Sequence, residues 1–374
     1  MEKDEFRRNA VDMIYLTACA INGRKPKQER IDRLDLPKLF EVCQKHILTA
    51  CVAYALESAS IKDNDFTQAK EKAIRKNIFL DAERMKILQK LEAEKIWYMP
   101  LKGALLHNWY PKLGMRQMSD NDILCDGTKM ADVRDIFLSF DYVCEHFGHG
   151  NHDIYFKKPV LNFEMHSSLF NPQHIGNLND YFKNVKKCLV KDENNEYGYH
   201  FRNEDFYIYI TAHEYMHFTN FGTGVRSLVD SFVFLRKFKD ALDWNYLHNE
   251  FGKLGIADFE AKKRELALTI FNNQNLSDEQ KKMLDYYIFS GTYGTLENSI
   301  ENRIQNIENG SRAKYLFHRL FPTMNQVKAF FPLFYRHKWL LPVLWIIYRP
   351  FHGLFVNRKK ILAEVKYLAE RKSR

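Results

Sequence analysis

Through the first 95 residues apolar positions recur at helical spacing. Leu39, Val42, Cys43, His46, Ile47 and Ala50 mark one such face. From 67 to 91, Ile74, Ile78, Met85, Leu88 and Leu91 fall on one stripe of a segment rich in Lys, Glu, Ala and Arg. No Gly or Pro interrupts that segment, which predicts one long helix or two abutting ones. The pattern changes at Ile96-Trp97-Tyr98-Met99, an aromatic run that reads as a strand ending at Pro100. Strand and helix signals then alternate: a short helix over 104–109, a strand over 120–125 closed by Asp126-Gly127, and a helix to about 140 capped by Thr128. Another strand opens at Tyr142-Val143-Cys144, a Gly/His/Asn loop covers 148–152, and 153–157 with 160–167 form an antiparallel hairpin turning at Lys158-Pro159. Helical spacing returns from about 178 to 300, clearest over 204–219 and 225–239, with Phe221-Gly222-Thr223-Gly224 as a turn between them. The expected architecture is α+β: helices over 1–95, a small mixed-sheet core over 96–175, a helical domain over 176–310 and an aromatic, helical tail over 311–374.

Composition narrows the class. The chain has 374 residues, 45% hydrophobic and 28% charged, enough for two or three domains with a sizeable core. The net charge of +9 is unevenly spread, because 311–374 carries 14 Lys and Arg against 2 Asp and Glu and the other residues nearly balance. Six scattered cysteines without a C-x-x-C pair argue against a zinc knuckle or a disulfide framework and for free thiols in a reducing compartment. The opening Met1-Glu2-Lys3-Asp4-Glu5-Phe6-Arg7-Arg8 has no apolar h-region, so a cytoplasmic protein is expected. The apolar stretch 339–348 is too short to span a bilayer. Basic and aromatic residues interleaved around it suit packing on the protein itself, an anionic lipid surface, or a nucleic-acid backbone.

Candidate chemistry concentrates between 99 and 166. Alternation along a strand places Asp120 and Asp122 on one face, and two neighbouring like charges persist best with a cation between them. Such hard oxygen ligands suit Mg²⁺ or Mn²⁺ together with substrate phosphates. The Lys102-Gly103 turn offers a positive charge, and a glycine there permits close approach of the backbone to a ligand. Arg116 is placed either to clamp a triphosphate or to make a structural ion pair; Ser119 either orients the nucleotide or begins the strand. On Leu161-Asn162-Phe163-Glu164-Met165-His166 the alternation sets Asn162, Glu164 and His166 opposite three apolar residues, which makes Glu164 a third carboxylate for the same sheet or, alternatively, part of a solvated edge.

These motifs resemble the nucleotidyltransferase superfamily whose best-known member is DNA polymerase β, and within it a bacterial family of uncharacterised nucleotidyltransferases. The similarity rests on Leu101-Lys102-Gly103-Ala104 after a strand, Tyr110-Pro111, Arg116, Ser119-Asp120 to Leu124, Glu164 with His166, and a later helix with His213 and His217 followed by Arg226 and Asp230. It extends from the helix before the Lys-Gly turn to the Pro-rich, aromatic tail. The resemblance implies an enzyme moving a nucleoside monophosphate from an NTP such as ATP to a hydroxyl acceptor. It also implies Asp120, Asp122 and Glu164 as the catalytic, metal-holding set. Between the aspartates the superfamily carries an apolar residue; here Asn121 stands there, as a shifted register or a site that binds without turnover would have it. Two alternatives come from other classes. One is that non-catalytic, regulatory binding protein. The other is a zinc hydrolase on His213-Glu214-Tyr215-Met216-His217, an H-E-x-x-H pattern with Asp230 or Glu250 as third ligand, against the plainer reading of a packed helix with Glu214 exposed.

Overall fold

The computed structural model describes residues 1–148, 150–171, 177–306, 310–322, 324, 327, 331–349, 351 and 358–370. Contacts divide the chain into two compact units, Met1–Tyr215 with Gly224–Thr292, and Met216–Thr223 with Tyr293–Arg374. The first opens with five helices: α1 (Lys3–Ile21), α2 (Gln28–Ile31), α3 (Leu36–His46), α4 (Thr49–Ser58) and α5 (Asn64–Ala93). Leu39, Val42, Cys43, His46 and Ala50 are buried as their spacing predicts.

A mixed five-stranded sheet follows, built from β1 (Tyr98–Pro100), β2 (Asn121–Cys125), β3 (Val143–His146), β4 (His152–Lys157) and β5 (Leu161–His166). The spatial order is β1-β2-β5-β4-β3. Within this sheet only the β2–β5 pair is parallel, and it sets Asp122 opposite Glu164 and Leu124 opposite His166. The expected hairpin is present as β4–β5, and β5 lies inside the sheet rather than at its edge. One face carries Ile123, Cys125, Phe163 and Met165 and packs against Leu80, Ile87 and Leu91 of α5 and Val133, Ile136 and Phe137 of α7 (Met130–Ser139). The opposite face is therefore left to Asp122, Glu164 and His166.

Between β1 and β2 the chain makes one turn of helix, α6 (Gly103–Leu106), which tightens into a 3₁₀ turn to Trp109. After β5 come α8 (Leu178–Phe182), α9 (Asn203–Asn220), α10 (Val225–Phe238), α11 (Trp244–Leu254), α12 (Ala257–Phe271) and α13 (Asp278–Ser290). In the second unit, Ile300, Ile304 and Tyr315 form a small core. Tyr315 and Arg319 both bind Glu364 of the terminal helix Arg358–Glu370, with the Tyr315 hydroxyl 2.5 Å from Oε1.

Two local expectations are corrected. The buried stripe of α5 is Ala73, Asn77, Leu80, Ile87 and Leu91, while Ile78 and Met85 are 51% and 61% exposed. The stripe is turned about 100°, one residue, from the apolar count, because the buried face also carries Asn77, Asp81 and Arg84, which anchor the loops around the site. Thr128 does not cap α7: its N–H and hydroxyl both turn to Asp126 Oδ1, and the helix starts after Lys129.

Candidate active site

β2 and β5 set two of the predicted acids, Asp122 and Glu164, in register; Asp120 lies one residue before β2, and among the described residues the three acids do not form a group whose ligand atoms all lie within 4.8 Å of one another. Asp122 is buried, accepts from His166 Nε2 at 2.9 Å and pairs with Lys102 Nζ at 3.3 Å. Glu164 hydrogen-bonds Asp122 and feels the charge of both Asp122 and Asp120. Burial and then those two neighbours push the Glu164 carboxyl up to about 7. Asp120 is raised likewise, by burial and by Asp122, with Ser119's hydrogen bond, Lys102 and Arg226 working the other way. Burial also opposes the charge on Asp122, but Lys102, His166 and His213 outweigh it and hold that carboxyl well below the ordinary range. The acids in turn hold the Lys102 ammonium above its usual range despite its burial.

Lys102 reaches the acids from a backbone with φ of +33°, a conformation rare outside glycine and of the kind kept where surroundings enforce it. At Gly103 a Cβ would meet Arg116 Nη1 at 2.8 Å and the Met118 methyl at 3.1 Å, so its bareness makes room for these side chains. Arg116 takes the ion-pair alternative. Its Nε and Nη2 grip Asp230 of α10 at 2.8 and 3.0 Å, and the Tyr110 hydroxyl donates to the same carboxylate at 2.7 Å. Ser119 hydrogen-bonds Asp120 at the mouth of β2.

Asn121 has a structural account. It is fully buried on the core face, donates to Leu80 O and accepts from Arg84 Nη1, each at 2.9 Å. Asn77 donates to Arg116 O at 3.1 Å, and Asp81 faces His107 Nε2 at 3.0 Å. The polar residues of α5 thus fix the start of β2 and the turn after Lys102. The strand register is not shifted, because Ile123 and Cys125 remain in the core.

Two residues join the site that the sequence did not single out, His152 and Tyr209, and a third, Arg226, entered there only through the resemblance. His152 sits opposite His166 across the hairpin, its Nε2 3.7 Å from Glu164 Oε2, and burial pushes its imidazole down to about 4. Counting back from the turn at Lys158-Pro159 would have found it. Tyr209 of α9 is fully buried, its hydroxyl has no hydrogen-bond partner among the described residues, and it lies within electrostatic reach of Lys102, Asp122 and Glu164. Arg226, at the start of α10, donates to Gln117 O at 3.3 Å and favours the charged form of Asp120. Among the described residues, the group of His, Cys, Asp and Glu side chains close enough to share an ion is His152, Glu164 and His166.

The H-E-x-x-H segment is divided. His213 is turned toward Asp122, whose charge it favours. Glu214 is buried, not exposed as the packed-helix reading had it: it pairs with Lys263 at 3.3 Å and accepts from the Tyr287 hydroxyl at 2.8 Å. His217 belongs to the second unit. Asp230 is held by Arg116, and Glu250 by Tyr181 and Lys253.

The donor set suits a divalent cation. Burial and then the Asp122 charge raise both Asp120 and Glu164, and the Tyr209 hydroxyl adds a polar group without a protein partner among the described residues. No curated protein and no solved structure matches the chain. A family model described as "Uncharacterised nucleotidyltransferase" matches residues 32–272, stopping short of the aromatic tail. With that match over more than half its length, the chain belongs to this nucleotidyltransferase family.

Proposed function

We propose that the protein transfers a nucleoside monophosphate from an NTP to a hydroxyl acceptor, with Mg²⁺ or Mn²⁺ as the working cation. The observation that carries this reading is Asp122 beside Lys102 and in register with Glu164 on adjacent parallel strands, with the charge of Asp120 felt at Glu164. Asp120, Asp122 and Glu164 would hold the cation, which neutralises charge on the triphosphate and on the leaving pyrophosphate. Lys102 supplies a fixed positive charge for a phosphate oxygen once it exchanges part of its hold on Asp122. Ser119 keeps the Asp120 carboxylate oriented, and Arg226 favours its charged form. Arg116 is assigned a positioning role, since its fork is closed on Asp230. Glu164 helps take up the acceptor's hydroxyl proton. The oxygen then attacks the α-phosphorus in line and pyrophosphate departs, so the acceptor–phosphorus bond forms as the α–β bridge breaks. Catalysis comes chiefly from positioning and charge neutralisation.

The test is to incubate the protein in a cell extract with NTP labelled in turn at the α- and γ-phosphorus. Label passing to an acceptor from the α position alone fits the proposal. Label passing from γ alone shows phosphoryl transfer and refutes it.

For the second unit we infer a contact with anionic lipid. Trp339, Ile346, Ile347 and Phe351 are 76, 72, 58 and 64% exposed within a segment carrying 14 basic and 2 acidic residues. Exposed apolar side chains among positive charges suit the headgroup region of a negatively charged membrane. No helix among the described residues is long and apolar enough to cross one.

A further inference from the structure

We infer that His152, Glu164 and His166 form a nitrogen-containing cation site that takes Mn²⁺, Co²⁺ or Zn²⁺ in preference to Mg²⁺. It deepens the reading above, resting on it for the ion's use but not for its binding. One candidate ligand atom from each residue lies within 4.8 Å of the others. The two imidazole Nε2 atoms stand 3.7 and 3.8 Å from the same Glu164 oxygen. Those gaps are too long for hydrogen bonds. They are close to the spacing of two ligands each ~2.1 Å from one tetrahedral ion, roughly 3.4 Å.

The elements fix this arrangement. His152 and His166 are directly opposed on antiparallel strands, and Glu164 precedes His166 by one full alternation on the same face. Two imidazoles and one carboxylate select borderline transition ions, whereas Mg²⁺ prefers oxygen alone. A second observation points the same way: the fully buried Tyr209 hydroxyl lacks a partner among the described residues and interacts electrostatically with Glu164 and Asp122. A ligand water or phosphate oxygen would satisfy it. His166 Nε2 is shared with Asp122 at 2.9 Å. Ligation there therefore replaces the hydrogen bond to Asp122, brings Asp122 against the ion and moves the ring proton to Nδ1, where the Asn151 amide, whose nitrogen stands 3.5 Å away, must turn its oxygen to accept it. Glu164 and Asp122 thereby link this site to the one holding Asp120, a two-cation arrangement with unlike halves.

The experiment uses the full-length protein and Mn²⁺ alone, without nucleotide, read by pulsed EPR for ¹⁴N couplings. Wild type is expected to show couplings from two imidazoles. His152→Ala should leave one coupling and weaken Mn²⁺ binding by at least about tenfold, while Asp120→Asn keeps both. Mn²⁺ bound through oxygen only, no Mn²⁺ binding, or loss of both couplings in Asp120→Asn would each overturn the site. The wild-type spectrum decides even if His152→Ala does not fold. Nucleotidyl transfer in Mg²⁺ is scored separately. Nitrogen couplings without transfer sink the transferase reading and keep the site; transfer without nitrogen couplings does the reverse.

Discussion

A single methyl group at position 103 measures how tightly the turn after β1 is built. In Gly103→Ala the new Cβ displaces an Arg116 guanidinium already held by Asp230, or forces the turn outward. Overpacking of this kind costs about 1–3 kcal/mol, and urea unfolding of the variant should show that loss. Asn121 makes the complementary case. The superfamily's apolar preference suggests that Asn121→Val would restore a better core. The structure predicts the opposite, because Arg84 and Leu80 O would lose their buried partner. A destabilisation of about 1–3 kcal/mol is expected, with transfer per folded molecule unchanged. A more stable Asn121→Val protein would contradict this account of the strand. At this scale the sequence is legible wherever strand alternation decides the outcome, as for Asp122 and Glu164 opposite the core face of β2 and β5. It is not legible for Arg116, whose partner Asp230 lies 114 residues away on another helix.

Helices are where periodicity misleads and where buried polar groups explain why. An apolar count misphases the face of α5 because Asn77, Asp81 and Arg84 replace apolar residues at contact positions, and such a count cannot register them. On α9 the H-E-x-x-H spelling conceals two directions, His213 toward the acids and Glu214 into the helical core against Lys263 of α12 and Tyr287 of α13. Lys263 is fully buried, so Lys263→Met leaves Glu214 charged and unpaired. A loss of about 3–5 kcal/mol is expected in chemical denaturation. A loss below about 1 kcal/mol would show that the pair does not join these helices. His46 at the end of α3 gives the pH dependence of the same bundle. It is fully buried, accepts from the Val225 N–H of α10 at 3.3 Å, and burial pushes its imidazole down to about 4. An unfolded histidine takes a proton near 6.5. Stability from this group is thus complete above about pH 6.5 and lost as pH falls toward about 4, by about 3 kcal/mol. In His46→Leu the melting temperature should change less between pH 7 and 4.5 than in wild type; an equal change would assign the acid sensitivity elsewhere.

For the molecule as a whole, the acids and all of the family match except Met216–Thr223 lie in the first unit, and the basic aromatic segment in the second. The uneven charge distribution is legible in the sequence alone, since counting charges needs no register. The grouping of N-terminal helices, sheet and later helices into one compact unit is not, because it depends on contacts far apart in sequence, such as His46 to Val225. The lipid proposal predicts that full-length protein floats with phosphatidylserine vesicles at low salt and not with neutral ones. The triple substitution Trp339→Ser, Ile346→Ser, Ile347→Ser should abolish flotation and leave transfer intact. Equal flotation of that variant would refute it.

The most direct measurement on the active site is transfer from α-labelled NTP by Asp120→Asn/Asp122→Asn protein whose circular dichroism and melting match wild type. The acid cluster predicts no transfer above background. Transfer at the wild-type rate from that folded variant would contradict it.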